Sequence, residues 1–211
     1  VPSPPADPAI GSLVWRPSVY SRNDVAYVIA RSWRADVKKS DVGALKEAKR
    51  CCAPAVLGAA AADLVAVART LGGPLTGWTV TTVPCGHSRR HDCFGKQLAQ
   101  HVADRLGLPF LEVWADRFVS GVSHPKEFAK LPALEWRAVP PGPMLLVDDV
   151  ATSGWHIEEG LTALRGHDVA ALGLVWIGGA VQPGRPCQRG PASAPAGPFA
   201  KAWTPGGGSA G

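Results

Sequence analysis

At 211 residues the chain is long enough for one substantial domain, and its 46% hydrophobic and 18% charged residues are ordinary for a soluble globular protein. A formal net charge of +5 suits an anionic small molecule or nucleic acid and does not choose between them. No run of about 18 apolar residues occurs, since Val56–Leu71 is broken by Asp63 and Arg69 and Val169–Val181 is too short, so neither a membrane span nor a membrane partner is expected.

In chain order, residues 1–12 are rich in Pro, Ala and Ser and read as a disordered lead. The opening Val1-Pro2-Ser3-Pro4-Pro5 lacks the charged-then-apolar order of a secretory signal, which makes a cytoplasmic location the expectation. Ser21–Arg50, with Trp33 and a charged helix-like stretch, reads as part of an N-terminal hood over one edge of the fold, spanning about 13–52. Pro54–Leu71 is an Ala- and Leu-rich helix stopped by Gly72-Gly73-Pro74. Trp78–Val83 is a β-branched run ending at Pro84, hence a strand. Gln97–Leu106 is helical, with Leu98, Val102 and Leu106 on one stripe and Gly107 as the stop. Pro109–Val113 is a short apolar strand, and 115–141 has no clean period, so a long loop with a short strand is expected there.

Met144–Val147 is wholly apolar, the pattern of a central strand in a parallel sheet. A helix over Ile157–Leu164 and a last strand over Val169–Ile177 complete an alternation that implies an open α/β sheet flanked by helices, in one domain spanning 13–181. Residues 182–211 form a Pro/Gly-rich tail with few apolar anchors, read as disordered. The five cysteines are an odd number and cannot close a disulfide framework. Cys51 and Cys52 are adjacent, while Cys85 and Cys93 lack the two-residue gap of a zinc knuckle.

The chemistry concentrates at Asp148-Asp149-Val150-Ala151-Thr152-Ser153-Gly154. In an open α/β sheet ligands bind beyond the carboxyl ends of the strands, where Asp148 and Asp149 fall. The small residues that follow let backbone N–H groups close around an anion, Thr152 and Ser153 add hydroxyl donors, and a helix beginning near Trp155 adds its positive end. Two carboxylates beside such a turn suit a sugar diol or a bound Mg²⁺. A Walker B pair would need a Gly-rich phosphate loop ending in Lys-Ser/Thr, which is absent. A phosphate-accepting receiver domain would place its acidic pair near the start of the chain.

An apolar strand, two acidic residues, two mostly apolar residues and a Thr-Ser-Gly turn resemble the binding motif of type I phosphoribosyltransferases. Within them the likeness is nearest to the competence-associated ComF group, whose members read Val-Leu-Leu-Val-Asp-Asp-Val-x-Thr-Thr-Gly. Val83-Pro84-Cys85-Gly86-His87-Ser88-Arg89-Arg90 resembles that group's basic loop, and Leu106-Gly107-Leu108-Pro109 the end of its following helix. The resemblance spans about residues 78 to 178. It implies a type I phosphoribosyltransferase-like fold and Mg²⁺-dependent transfer between phosphoribosyl pyrophosphate (PRPP) and a nucleobase or related nitrogenous acceptor, releasing pyrophosphate. Asp148 and Asp149 would be the catalytic carboxylates, holding the ribose hydroxyls and, directly or through water, the metal. Val150, Ala151, Thr152, Ser153, Gly154 and His156 would surround the 5-phosphate. The loop of Cys85, Gly86, His87, Ser88, Arg89 and Arg90 would meet the pyrophosphate, with the two arginines as charge partners. Lys126 could reach the site from its loop, although loop lysines are usually solvated, and Trp176 could stack on a base, although an aromatic there is more often core.

The chain departs from the family pattern at His156, where a hydroxyl residue is usual, and at Cys93-Phe94-Gly95-Lys96, which matches that group's Gly-Phe-Asn-Gln only loosely. Two other classes therefore stay open: a non-catalytic PRPP- or nucleotide-binding regulator, and a ComF-like protein handling single-stranded nucleic acid. A homodimer is also open.

Overall fold

The computed structural model describes residues 10–22, 24–71, 73–84, 92–117 and 132–180. All lie within the unit Val1–Val181, and the tail read at 182–211 falls outside the described residues. Among the described residues the elements run β1 (Leu13–Arg22), β2 (Val25–Trp33), α1 (Lys39–Arg50), α2 (Pro54–Thr70), β3 (Thr79–Thr82), α3 (Phe94–Leu106), β4 (Met144–Val150), α4 (Trp155–Gly166) and β5 (Ala171–Ala180).

The strands form one sheet in the order β1-β2-β5-β4-β3. β2, β5, β4 and β3 are mutually parallel where they pair, and β1 lies antiparallel to β2 on the edge. The expected open α/β sheet flanked by helices is therefore present, with an antiparallel edge strand. The hood needs correction. β1 and β2 pair as an antiparallel hairpin within the sheet rather than a cap over its edge, because Val25, Tyr27, Val28, Ile29 and Ala30 are buried and β2 zips onto β5 from Tyr27↔Gly173 onward. Only α1 remains of the hood as a helix, seated on the core through Leu45.

Period-2 alternation in β4 divides the core between the two sheet faces. Leu145 and Val147 join α2, α3 and Trp176 on one face, while Met144 and Leu146 meet Ile157, Leu161 and Leu164 of α4 on the other. Such double burial accounts for the unbroken apolar run that marks β4 in the sequence. α4 lies close to the sheet because its facing residue is Gly160, where a Cβ would meet Leu146 at 2.7 Å and Val83 at 2.8 Å. α2 carries one charge into the core. Arg31 of β2 and Asp63 of α2 are 3% and 2% exposed and pair through two hydrogen bonds, and the Trp176 Nε1–H donates to Asp63 Oδ2 at 2.9 Å. Burying two ions is costly unless both are paired and hydrogen-bonded, and this network satisfies that condition.

Other boundaries differ in instructive ways. β4 extends past Val147 to Val150, since Asp148↔Val175 and Val150↔Ile177 continue the ladder, so the acidic pair sits on the strand rather than after it. The expected strand at Pro109–Val113 is a single bridge, Val80↔Phe110, on the outer edge of β3. Proline has no N–H with which to extend the pairing. α3 ends at Gly107 in the left-handed conformation (φ 66°), as its sequence position implied. Of 115–141, residues 118–131 fall outside the described ones, and Trp136 forms an isolated antiparallel bridge with Trp114 just before the segment. No single described helix is long and apolar enough to cross a membrane.

Candidate functional site

β4 delivers Asp148 and Asp149 to the carboxyl end of the parallel sheet on opposite faces. Asp148 continues the Met144–Leu146 row toward α4, and Asp149 continues the Leu145–Val147 row toward α1 and α2. The Asp149 N–H donates to Asp148 Oδ1 at 2.8 Å, and the Asp149 carboxylate forms an ion pair with Lys49 of α1, Nζ to Oδ2 2.7 Å. Val150 packs half-buried against the α2–α3 core. Ala151 is buried, and its N–H donates to Ile177 O at 2.9 Å, which ties the start of the turn to β5.

Thr152 and Ser153 are exposed, and Ser153 Oγ accepts the Trp155 N–H at 3.4 Å. Gly154 then reverses the chain with φ +79° and hands its carbonyl to the Glu158 N–H at 2.9 Å, opening α4. A glycine is required twice over at this position. The left-handed backbone disfavours any Cβ, and a Cβ there would lie 2.5 Å from the Tyr27 hydroxyl and 2.9 Å from Glu158 Oε1. His156, half-buried in the first turn of α4, has its ring 6.3 Å from that of Trp155.

A cleft of about 330 Å³ opens beside this turn, bounded by Ala151, Thr152, Ser153, Gly154 and Glu158 on one side and by Tyr20, Ser21, Tyr27 and Ile29 of the hairpin on the other. The Tyr20 and Tyr27 rings stack 5.7 Å apart and form its aromatic wall. Exposed hydroxyls over a helix N-terminus suit an anion, whereas the nearly buried Glu158 carboxylate works against one. The hairpin residues, Glu158 and Lys49 were all missed by sequence reasoning. Lys49 did leave a signal, because it follows the buried Leu45 by four residues and so falls on the inner stripe of α1.

Of the remaining expected site residues, Trp176 needs correction. It is 1% exposed, packs on Phe94 with ring centroids 6.2 Å apart and donates to Asp63, so it offers no face to a base. The pyrophosphate loop Cys85, Gly86, His87, Ser88, Arg89 and Arg90 lies outside the described residues, as does Lys126. Two supports fix the helices that frame the site. Ser12 Oγ and the Lys38 N–H both donate to Asp41 in the first turn of α1, and the Ser12 bond above all holds that carboxyl below its ordinary range. Arg117, almost buried, clamps Glu159 of α4 with bonds of 2.8 and 2.6 Å and donates to Pro132 O at 2.8 Å.

As for the implied magnesium, no group of three His, Cys, Asp or Glu side chains converges among the described residues. Mg²⁺ is commonly held by one or two carboxylates plus ligand oxygens. Asp148 and Asp149 are the carboxylates of the turn that could take that role, and Asp149 is also paired with Lys49.

No family model matches the chain, and no curated protein matches it. Solved structures do match, among them an orotate phosphoribosyltransferase from Aeropyrum pernix. It is 18% identical, with a TM-score of 0.35, over 80% of this chain and 76% of that one. A likeness of that size leaves the chemistry to be read from the site's own residues.

Proposed function

We propose that the chain binds PRPP at the β4–α4 turn and transfers its phosphoribosyl group to a nitrogenous acceptor such as a nucleobase, releasing pyrophosphate. The observation that supports this reading is the turn itself. Two carboxylates end a central parallel strand, and within five residues a glycine-closed loop with two exposed hydroxyls opens a helix. A ligand with ribose hydroxyls at one end and a 5-phosphate at the other has the chemistry to meet both.

Displacement at the anomeric carbon develops positive charge on the sugar ring and negative charge on the departing pyrophosphate. The chain's task is to orient the ribose and stabilise both charges. Asp148 and Asp149 accept the ribose hydroxyls, and their charge favours a cationic ring. Thr152, Ser153 and the N-terminal amides of α4 hold the 5-phosphate at a fixed distance from them. Magnesium, when bound with the ligand against Asp148, supplies charge neutralisation for the leaving group.

The test has two parts. Mg²⁺·PRPP at millimolar concentration should raise the melting temperature, because a ligand bound only by the native state stabilises it. PRPP-dependent pyrophosphate release should then appear with one member of a nucleobase panel. Absence of any thermal shift overturns the reading. A shift without turnover across the panel reduces it to binding alone.

A further inference from the structure

Asp149 is one of the two carboxylates that the phosphoribosyl reading gives to the ribose, yet it already faces a cation. Lys49 Nζ lies 2.7 Å from Asp149 Oδ2. This contact is no incidental surface pairing. Lys49 sits on the inner stripe of α1, one turn beyond buried Leu45, and its side chain is 31% exposed, while that of its neighbour Arg50 is 74% exposed and turns back to Glu47. The other partner is more enclosed still, at 14%. The helix that brings Lys49 in is fastened at its far end through Asp41 to Ser12.

We propose that Lys49 is a ligand-binding residue and that its ammonium takes the place of a divalent cation at Asp149, so that PRPP binds without requiring magnesium. The inference rests on the reading of the β4–α4 turn as a PRPP site. An ammonium carries three N–H donors, so one that holds a carboxylate can also donate to a ligand oxygen. Its charge offsets Asp149, which would otherwise repel a pyrophosphate. The compact, strongly hydrated lysine head serves as a point charge for phosphate in the way a metal ion does.

The experiment is calorimetric titration of PRPP into the full chain, in EDTA and in millimolar Mg²⁺, for wild type, Lys49→Met and Lys49→Arg. Ligand-free melting temperatures are recorded to confirm that each is folded. Wild-type affinity in EDTA should fall within about threefold of that in Mg²⁺. Lys49→Met should lose at least tenfold in EDTA and recover most of it in Mg²⁺, and Lys49→Arg should lose less than Lys49→Met in EDTA. Wild-type binding that needs Mg²⁺, or equal EDTA affinities for wild type and Lys49→Met, overturns the role of Lys49 and leaves the site standing. No wild-type binding in either buffer overturns the site and this inference together. Should Lys49→Met fail to fold, the wild-type comparison and Lys49→Arg still decide it.

Discussion

Substituting Gly154 by alanine isolates the geometry on which the β4–α4 turn depends. Two independent penalties combine at that position. Holding an L-residue at φ +79° costs about 1–2 kcal/mol. The new methyl would also stand 2.5 Å from the Tyr27 hydroxyl, and forcing such an overlap into a packed site costs about 1–3 kcal/mol. The sum is roughly 2–5 kcal/mol, measurable as a lower urea midpoint at unchanged slope. The second penalty can be removed separately. In a Tyr27→Phe background the nearest obstacle disappears, leaving Glu158 Oε1 at 2.9 Å and the ring carbon at 3.4 Å. A double-mutant cycle should therefore show Gly154→Ala costing about 1 kcal/mol less beside Tyr27→Phe than beside Tyr27. A single-mutant loss below about 1 kcal/mol, or equal losses in the two backgrounds, would refute the claim that the hairpin tyrosine backs the turn.

Asp63→Asn should cost about 3–5 kcal/mol in the same urea assay, because it strands the buried Arg31 guanidinium, and a loss under about 1 kcal/mol would contradict that network. Glu158→Gln removes the carboxylate beside the anion-facing turn and should tighten ribose 5-phosphate a few-fold at low salt by calorimetry; unchanged or weaker binding would remove Glu158 from the ligand's field. Asp41 supplies a pH test. Its folded pKa lies below the ordinary 3.8, chiefly through the Ser12 hydrogen bond, so its stabilisation is present above 3.8 and disappears as pH falls through the folded value. Between pH 7 and pH 3 the wild-type melting temperature should therefore fall further than that of Asp41→Asn, and parallel curves would rule out the contribution of that bond.

What could be read from the sequence was whatever local periodicity and turn chemistry determine. α2, β3, and the apolar β4 run leading into a Thr-Ser-Gly turn follow from residues within one short window. The hairpin escaped because β2 is buried along most of its length and shows none of the alternation by which half-buried strands are recognised. Its strand character comes from pairing with β5, far away in sequence. The placement of the acidic pair was also only half legible. That Asp148 and Asp149 face opposite sides of the sheet depends on the ladder continuing to Val150, which Ile177 enforces. Trp176, near the end of an apolar strand, could be read either as core or as a face for a base. Its partner Asp63 stands within an Ala- and Leu-rich helix, where a lone acid gives no hint of what it will meet.

The seat of α4 on the sheet has consequences beyond the residues that form it. Gly160 lets the helix rest against Leu146 and Val83, and Gly173 leaves room on β5 for Tyr27, Leu161 and Ile157. A close-packed interior transmits displacement rather than absorbing it. A larger side chain at either glycine would lift the helix, and with it the turn that begins at Ala151, away from carboxylates held by the β4 ladder. An unbiased mutagenesis screen for lost function should therefore recover Gly160 and Gly173 alongside the cleft residues, although neither glycine borders the cleft. The same screen should find its tolerant positions in the hairpin wall instead, where Tyr20 and Ser21 line the cleft and can vary without moving the helix.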